Sequence, residues 1–204
     1  MDAAKPVIGI VGGIGAGKST VAAELVKLGC ARVDADAIGH ELLERQDVKD
    51  ELRRRWGEGV FDARGNADRR EIARRVFADP ADLAALNSIL HGKIRQEMAR
   101  QIGQLQLQAD VAAIVVDAAL LLETDWHELC TVLVFVDSAD SLRGDRVRRD
   151  RGWTEAAWRS RENSQKSLDI KRSRADHVID NSSSVSCLHE QVRSVYHRIL
   201  HLAD

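Results

Sequence analysis

The chain has 204 residues and a formal net charge of −2; 44% of its residues are apolar and 30% are charged. This composition is typical of a soluble globular domain with a hydrophobic core and argues against an intrinsically disordered chain. The near-neutral charge and the small number of aromatic residues, four Trp, three Phe and one Tyr, exclude a molecule that binds nucleic acid over its whole surface. We therefore expect no nucleic-acid partner, and local basic clusters wherever phosphate is bound.

The cysteines and the apolar runs indicate the cellular compartment in which the protein is expected. Cys30, Cys130 and Cys187 are far apart and form no CxxC pair, which favours reduced thiols over a disulfide framework or a zinc site. The N-terminus lacks a signal-peptide core, and no apolar run approaches the roughly 20 residues needed to span a bilayer. We therefore expect a cytoplasmic protein with no membrane partner.

Apolar strands that alternate with helical segments predict an α/β fold, in which helices cover both faces of a parallel five-stranded sheet. The stretch at 37–108 is rich in good helix formers and holds no convincing strand, so we expect an inserted helical subdomain there. The core of this single domain would comprise 1–36, 109–137 and 175–204. The predicted elements are strands at 7–11, 31–33, 111–117, 132–137 and 178–180, helices at 17–28 and 188–202, and mostly helical segments at 37–108 and 138–174.

Residues 12–19, Gly-Gly-Ile-Gly-Ala-Gly-Lys-Ser, match the phosphate-binding motif GxxxxGK[ST] and lie between a predicted strand and a predicted helix, as the motif requires. Glycines let backbone N–H groups approach phosphate oxygens closely, and the helix that follows directs the positive end of its dipole at the same oxygens. Lys18 is predicted to neutralise the β- and γ-phosphates of ATP and Ser19 to bind Mg²⁺. The predicted nucleotide-binding residues of this loop are Gly13, Gly15, Ala16, Gly17, Lys18, Ser19 and Thr20.

Carboxylates follow two of the predicted strands, at the edge where ligands of an open α/β sheet bind. Asp34 and Asp36 follow the second strand, and because alternate residues of an extended segment point in opposite directions, one of them is expected to face the substrate as a base for a hydroxyl proton. The other would cap the helix that begins near Ala37, and the spacing leaves open which is which. Asp117 ends the third strand, where a Walker-B carboxylate binds Mg²⁺ directly or through water.

Basic residues crowd the segment at 138–174. Like charges on one helix repel each other unless an anion compensates them, so we expect a basic lid that closes over the ATP phosphates and excludes water. Arg146 and Arg149 are the candidate phosphate contacts. The alternative is a solvated helix face whose charges are balanced by neighbouring acids. Those acids are Asp145, Asp150, Glu155 and Glu162.

The chain resembles the dephospho-coenzyme A kinases over nearly its full length. The resemblance implies the three-layer α/β/α fold of P-loop kinases, with a helical substrate-binding insert and a helical lid. Gly92 and Ala119 stand where this family usually has Pro. The segments that carry the resemblance are GGIGAGKST at 12–20, DAD at 34–36, DRR at 68–70, VFADP at 76–80, LNSILH at 86–91, VVDAALLLE at 115–123 and ADHVIDN at 175–181.

The resemblance further implies transfer of the ATP γ-phosphate, with Mg²⁺ as cofactor, to the 3′-hydroxyl of the ribose in dephospho-CoA, the last step of CoA synthesis. It makes Asp36 the general base, acting with the catalytic Lys18. The insert would bind the acceptor through Asp36, Arg69, His91 and Arg95. The segment at 138–174 would be the lid, and Asn181 would lie near the adenine.

A nucleoside or nucleotide monophosphate kinase shares the phosphate loop, the insert and the lid, and is the alternative enzyme. A nucleotide-dependent binding switch is an alternative of another class, but the sequence has no NKxD motif, and no DxxG motif of the GTPase kind follows the Walker-B carboxylate, since the chain continues from Asp117 as Ala-Ala-Leu. We expect a monomer whose partners are the small molecules ATP and dephospho-CoA.

Overall fold

Five parallel strands form one sheet in the order β2–β3–β1–β4–β5. The structure is a computed structural model that describes residues 4–201. The strands are β1 (Val7–Gly12), β2 (Cys30–Asp34), β3 (Ala113–Asp117), β4 (Val132–Asp137) and β5 (His177–Asp180). The α-helices are α1 (Lys18–Lys27), α2 (Ala35–Leu42), α3 (Gln46–Trp56), α4 (Arg69–Ala78), α5 (Pro80–Gln106), α6 (Asp140–Arg151), α7 (Glu155–Asn163), α8 (Leu168–Ser173) and α9 (Val185–His201).

β1 lies at the centre of the sheet, because it pairs with β3 on one side and with β4 on the other. All six of its residues are buried, as expected of a parallel strand that is covered on both faces. Ile10 is in register with Asp117 of β3, and Gly12 is in register with Val136 of β4. The loop that leaves β1 therefore starts in the middle of the carboxyl edge of the sheet, where open α/β sheets bind their ligands.

One core cluster joins the sheet to α1 and α9. Buried residues recur along both helices three or four positions apart, which is the spacing of a helix with one apolar face. Because this face fixes α1 against the sheet, the first turn of α1 is held at the end of β1. The cluster includes Ile8, Ile10, Val115 and Val134 from the sheet, Val21 and Leu25 from α1, and Val192 and Tyr196 from α9.

The chain divides into two compact units. The first contains the whole sheet and runs up to Asp34 and again from Gln101 onward; the second is Ala35–Arg100. The second unit consists of α2, α3, α4 and most of α5, and it has its own buried apolar residues, among them Leu52 and Met98. Asp68 begins α4 by accepting hydrogen bonds from the backbone N–H groups of the first turn. None of the helices in residues 4–201 has the length and apolar character needed to cross a membrane.

The fold predicted from the sequence is confirmed, and the element boundaries differ in informative places. The third strand starts at Ala113 and not at Val111, because the N–H of Val111 bonds back to the carbonyl of Gln108 in a turn. The stretch at 37–108 contains an isolated antiparallel bridge, between Phe61 and Ala67, where no β pairing was expected. The predicted end of the last helix at Leu202 lies outside the described residues.

Truncation of a central core side chain tests this arrangement. Ile8 is fully buried in β1, so Ile8→Ala is expected to lower the free energy of unfolding by about 2–5 kcal/mol through lost burial and the cavity left behind. Val26, which is 42% exposed on α1, provides the matched control, and Val26→Ala should cost under about 1 kcal/mol. Urea unfolding measures both values, and similar losses for the two variants would contradict the assigned core.

Candidate active site

The loop between β1 and α1 depends on glycine for its backbone and for its packing. Gly15 has φ +80° and Gly17 has φ +95°, values that residues with a side chain rarely adopt. A Cβ atom on Gly17 would lie 2.2 Å from Nδ2 of Asn181, and one on Gly15 would lie 2.6 Å from the backbone oxygen of Arg143. Both positions thus exclude larger residues, and the loop is closely covered by α6 and by the turn after β5.

The carbonyl groups of this loop are bonded by side chains. Lys18 Nζ donates to the carbonyl oxygens of Gly12 (3.1 Å) and Gly13 (2.9 Å). Arg143 donates to the carbonyl oxygen of Ile14 (3.3 Å), and Arg146 donates to those of Gly15 (3.3 Å) and Ala16 (3.4 Å). Asn181 Nδ2 donates to the carbonyl oxygen of Ala16 (2.8 Å). With its carbonyl oxygens engaged in this way, the loop presents N–H groups, and the first turn of α1 adds N–H groups that lack intrahelical partners. This arrangement can bind an anion such as a phosphate chain.

Lys18 lies at the centre of this site with an altered pKa. The pKa of its ammonium group is lowered from 10.5 to about 8, chiefly by burial and then by the positive charges of Lys171 and Arg151, while the carboxylates of Asp117 and Glu123 oppose the shift. The ammonium group therefore lies within electrostatic reach of both carboxylates. A cation in this position can neutralise phosphate charge at neutral pH, where it is still protonated.

A buried ion pair that the sequence analysis missed lies beside Lys18. Lys171 of α8 is only 2% exposed, and its Nζ donates to Glu123 Oε1 at 2.9 Å and to Gln165 Oε1 at 2.8 Å. The backbone N–H of Lys166 donates to the same Glu123 oxygen at 3.0 Å. Glu123 thus ties the segment after β3 to the turn before α8 and to the middle of α8. A lysine within a basic run carries no local signal of burial, so Lys171 could not be distinguished from its neighbours in the sequence.

Asp34 and Asp117 face each other in register across β2 and β3, and Arg32 bridges them. One guanidinium nitrogen of Arg32 lies 2.8 Å from Asp34 Oδ2 and 2.7 Å from Asp117 Oδ2. Two carboxylates directly opposite each other repel, and the shared arginine offsets this repulsion. Asp117 is thereby held at the end of β3, close to Lys18.

Ser19 and Asp117 offer a donor set that fits Mg²⁺. Ser19 is exposed in the first turn of α1, and Asp117 ends the neighbouring strand β3. Mg²⁺ is usually held by one or two protein oxygens together with substrate phosphates and water. A hydroxyl and a carboxylate beside a phosphate-binding loop match this requirement.

Asp34 and Asp36 are not alternate residues of an extended segment, and the prediction that they are was wrong. α2 begins at Ala35, so Asp36 lies in the first turn of a helix and is exposed. The helix begins two residues earlier than expected, and this start places Ala35 on the same buried face as Ile38 and Leu42. Asp34 is the last residue of β2 and pairs with Arg32; the role of Asp36 as the base stays a prediction.

A cavity of about 460 Å³ lies next to the phosphate loop, which is a common size for a small-molecule site. Arg146, Arg149 and Asn181 all line it, but in different ways. Arg146 and Asn181 form hydrogen bonds to the loop and to each other, since Arg146 also donates to the Asn181 backbone oxygen at 2.8 Å. Arg149 is exposed and pairs with Asp150. The remaining lining residues are Gly15, Gly17, Lys18, Ser19, Thr20, Val147, Asp150, Arg151, Val185 and Leu188.

Many arginines of the basic segment are paired with acids of the same segment. The alternative considered for this segment, charge balance by neighbouring acids, thus describes several of its arginines in the structure. The pairs are Arg143 with Asp140 and Glu162, Arg148 with Asp145, Arg149 with Asp150, and Arg159 with Asp140, Glu155 and Glu162.

The predicted acceptor contacts belong to the unit Ala35–Arg100. Arg69 is the first residue of α4, and His91 and Arg95 lie one turn apart on α5, so they share a helix face. Burial lowers the pKa of His91 below its usual value, which favours the neutral ring at physiological pH. Gly92 lies inside α5 with open space around it. That these residues bind the acceptor stays a prediction.

Substitution of Gly17 tests the shape of the loop. Gly17→Ala puts a side chain at φ +95° and against Asn181, so it is expected to lower the free energy of unfolding by about 1–2 kcal/mol and to weaken nucleotide binding at least about tenfold. Gly103→Ala is the matched control, because nothing lies within 4 Å of a Cβ there; it should leave binding unchanged and stabilise α5 by up to about 1 kcal/mol. Urea unfolding and calorimetry measure the two effects, and unimpaired binding by Gly17→Ala would refute the required loop shape.

The depressed pKa of Lys18 predicts a pH dependence. As the pH rises through about 8, the free protein loses the ammonium form, so the affinity for ATP should fall by up to about tenfold per pH unit. Lys18→Met should bind ATP more weakly at pH 7 and lack this fall. Calorimetry at pH 7, 8 and 9 makes the comparison, and an equally steep fall in the variant would assign it to another group.

Without nucleotide, the Lys18 ammonium group makes the free energy of unfolding rise between pH 8 and 10.5, because in this range the unfolded chain keeps a proton that the folded chain has lost.

Comparison with known proteins identifies the family of the chain. The sequence model of the family described as dephospho-CoA kinase matches residues 6–186. The dephospho-CoA kinase of Corynebacterium diphtheriae is 38% identical over 193 residues, which cover 94% of this chain and 96% of that protein. A crystal structure of a Thermus thermophilus protein is 32% identical with a TM-score of 0.78 and covers 96% of this chain and 98% of that one. The dephospho-CoA kinase from Campylobacter jejuni, at 22% identity, shares the fold with a TM-score of 0.69 over 96% of this chain and 97% of its own. The chain belongs to the dephospho-CoA kinase family.

Proposed function

We propose that this protein transfers the γ-phosphoryl group of ATP to the 3′-hydroxyl of the ribose in dephospho-CoA, giving CoA and ADP. The observation that carries the proposal is the braced phosphate loop at the carboxyl edge of the sheet, in a chain of this family. A loop with its carbonyl oxygens bonded and Lys18 at its centre is suited to hold the β- and γ-phosphates in one orientation.

The chain's own groups divide the work of the reaction. The N–H groups of the loop and the ammonium group of Lys18 bind the phosphates, and Arg149 contacts them from the rim of the cavity. Arg146 and Asn181 shape the loop and border the nucleotide. Ser19 and Asp117 would hold Mg²⁺, which would further neutralise the phosphate charge.

The acceptor side relies on the second unit. Asp36, exposed in the first turn of α2, accepts the proton of the attacking hydroxyl as general base. Arg69 and Arg95 supply positive charge for the phosphates of the acceptor, and His91 supplies a neutral ring nitrogen for hydrogen bonding. We further propose that the protein acts as a cytoplasmic monomer with ATP and dephospho-CoA as its partners, and without nucleic acid.

An ADP-release assay with purified protein tests the substrate. Turnover with ATP and dephospho-CoA should greatly exceed turnover with AMP, CMP or a nucleoside as acceptor. Turnover on a nucleotide or nucleoside but not on dephospho-CoA would replace the proposal with a nucleoside or nucleotide monophosphate kinase. Nucleotide binding with no acceptor turnover at all would favour a binding switch.

Substitution of the proposed base separates chemistry from binding. Asp36→Asn keeps the size of the side chain and removes the proton acceptor, so turnover should fall by ~10²-fold or more while ATP affinity changes less than about twofold. Asp110→Asn, at an exposed turn before β3, is the control and should match the wild type. Steady-state kinetics and calorimetry give the two quantities; full turnover in Asp36→Asn would remove Asp36 from this role.

A further inference from the structure

Arg143 is the most buried arginine of the basic segment and is not part of the cavity lining. It is 3% exposed, and its guanidinium bonds to the carboxylates of Glu162 and Asp140. It also lies over the ring of Trp158, 5.3 Å from the ring centre. A buried guanidinium requires such compensation. Arg143 therefore has an internal structural environment, in contrast to the exposed Arg149.

The same guanidinium reaches the phosphate loop. Its NH1 nitrogen donates to the carbonyl oxygen of Ile14 at 3.3 Å and would lie 2.4 Å from a Cβ atom on Gly13. The backbone oxygen of Arg143 lies against Gly15. Arg143 thus contacts three consecutive residues of the loop.

An apolar contact joins the same elements. The side chain of Ile14, 8% exposed, forms a small buried cluster with Val147 of α6 and Trp158 of α7. The loop is consequently attached to α6 and α7 twice, through its carbonyl at Arg143 and through its side chain at Trp158. An attachment by both a polar and an apolar contact fixes position and orientation together.

Glu162 connects this attachment to α7. It lies 19 residues after Arg143 in the chain and shares its carboxylate between NH1 of Arg143 and Arg159. A shift of α7 that withdrew this carboxylate would leave the buried Arg143 guanidinium with Asp140 of α6 but without Glu162, and so with less charge compensation. The nitrogen bonded to Glu162 is the one bonded to Ile14, so the shift would reach the loop directly.

We propose that Arg143 and Glu162 are positioning residues that set the nucleotide affinity of the phosphate loop according to the placement of α7. This inference rests on the proposed function, in that the loop is taken as the ATP site. Neither residue lines the cavity beside the loop; they act through the Ile14 carbonyl. The pair makes ATP binding and α7 placement reciprocal, since each favours the arrangement that the other requires.

The test is Glu162→Gln, which keeps the shape of the side chain and removes its charge. We expect the dissociation constant for ATP, measured by calorimetry, to rise about tenfold, with the KM for ATP rising in parallel. The KM for dephospho-CoA and kcat at saturating ATP should stay within about twofold. Glu155→Gln, on the same helix but 69% exposed, is the matched control and should bind ATP as the wild type does.

A double-mutant cycle that adds Arg143→Gln tests whether Arg143 and Glu162 act together on the affinity for ATP. If the two side chains act together, the dissociation constant of the double variant for ATP should be about that of whichever single variant binds ATP more weakly. If they acted independently, the two fold-increases in the dissociation constant would multiply. Should Arg143→Gln fail to fold, Glu162→Gln alone still decides, because its circular dichroism and thermal unfolding are followed alongside binding. Loss of stability without loss of ATP affinity would assign the pair a purely structural role and overturn the inference. A wild-type protein that bound no ATP would overturn the proposed function itself.

Discussion

The bonding of the loop carbonyls is the constraint on which the rest of the site depends. A phosphate loop can present its N–H groups to an anion only if its carbonyl oxygens find donors elsewhere, because buried backbone acceptors need partners. Here the donors are side chains, and apart from Lys18 they come from α6 and from the turn after β5. The sheet fixes the position of the loop, and α1 directs the positive end of its dipole at the ligand. The C-terminal third of the chain holds the loop in its conformation.

The basic residues of the segment at 138–174 differ from one another in burial and in partners, which the composition of the segment does not indicate. Its most buried members, Arg143 and Lys171, are matched by the carboxylates of Glu162 and Glu123 and serve the protein interior. Arg146 is half-buried and bonds to backbone oxygens. Several of its exposed arginines, among them Arg148, Arg149 and Arg159, form surface pairs, which contribute little to stability and can exchange partners at low cost. Arg149, which faces the cavity from such a pair, is therefore able to turn to a phosphate.

The features predicted from sequence were those that short stretches determine. The loop glycines, Lys18 and the apolar strands follow from local spacing, so the fold and the position of the phosphate loop between β1 and α1 could be predicted. The bonds that shape the loop could not, because Arg143 and Ile14 are separated by 129 positions and Asn181 and Ala16 by 165. The α2 boundary failed for a related reason: the burial of Ala35 moves the start of the helix, and burial is a property of the whole fold.

The separation between Ala16 and Asn181 has a consequence for synthesis. The phosphate loop is translated before β3 and β4, so the central strand that precedes it must wait for both of them to complete its pairing. Asn181, the last of its carbonyl donors in chain order, is translated 165 positions after Ala16. A nascent chain therefore carries the phosphate-binding motif through all of that synthesis without a formed site, and it gains stabilisation from ATP only after Asn181 has been added.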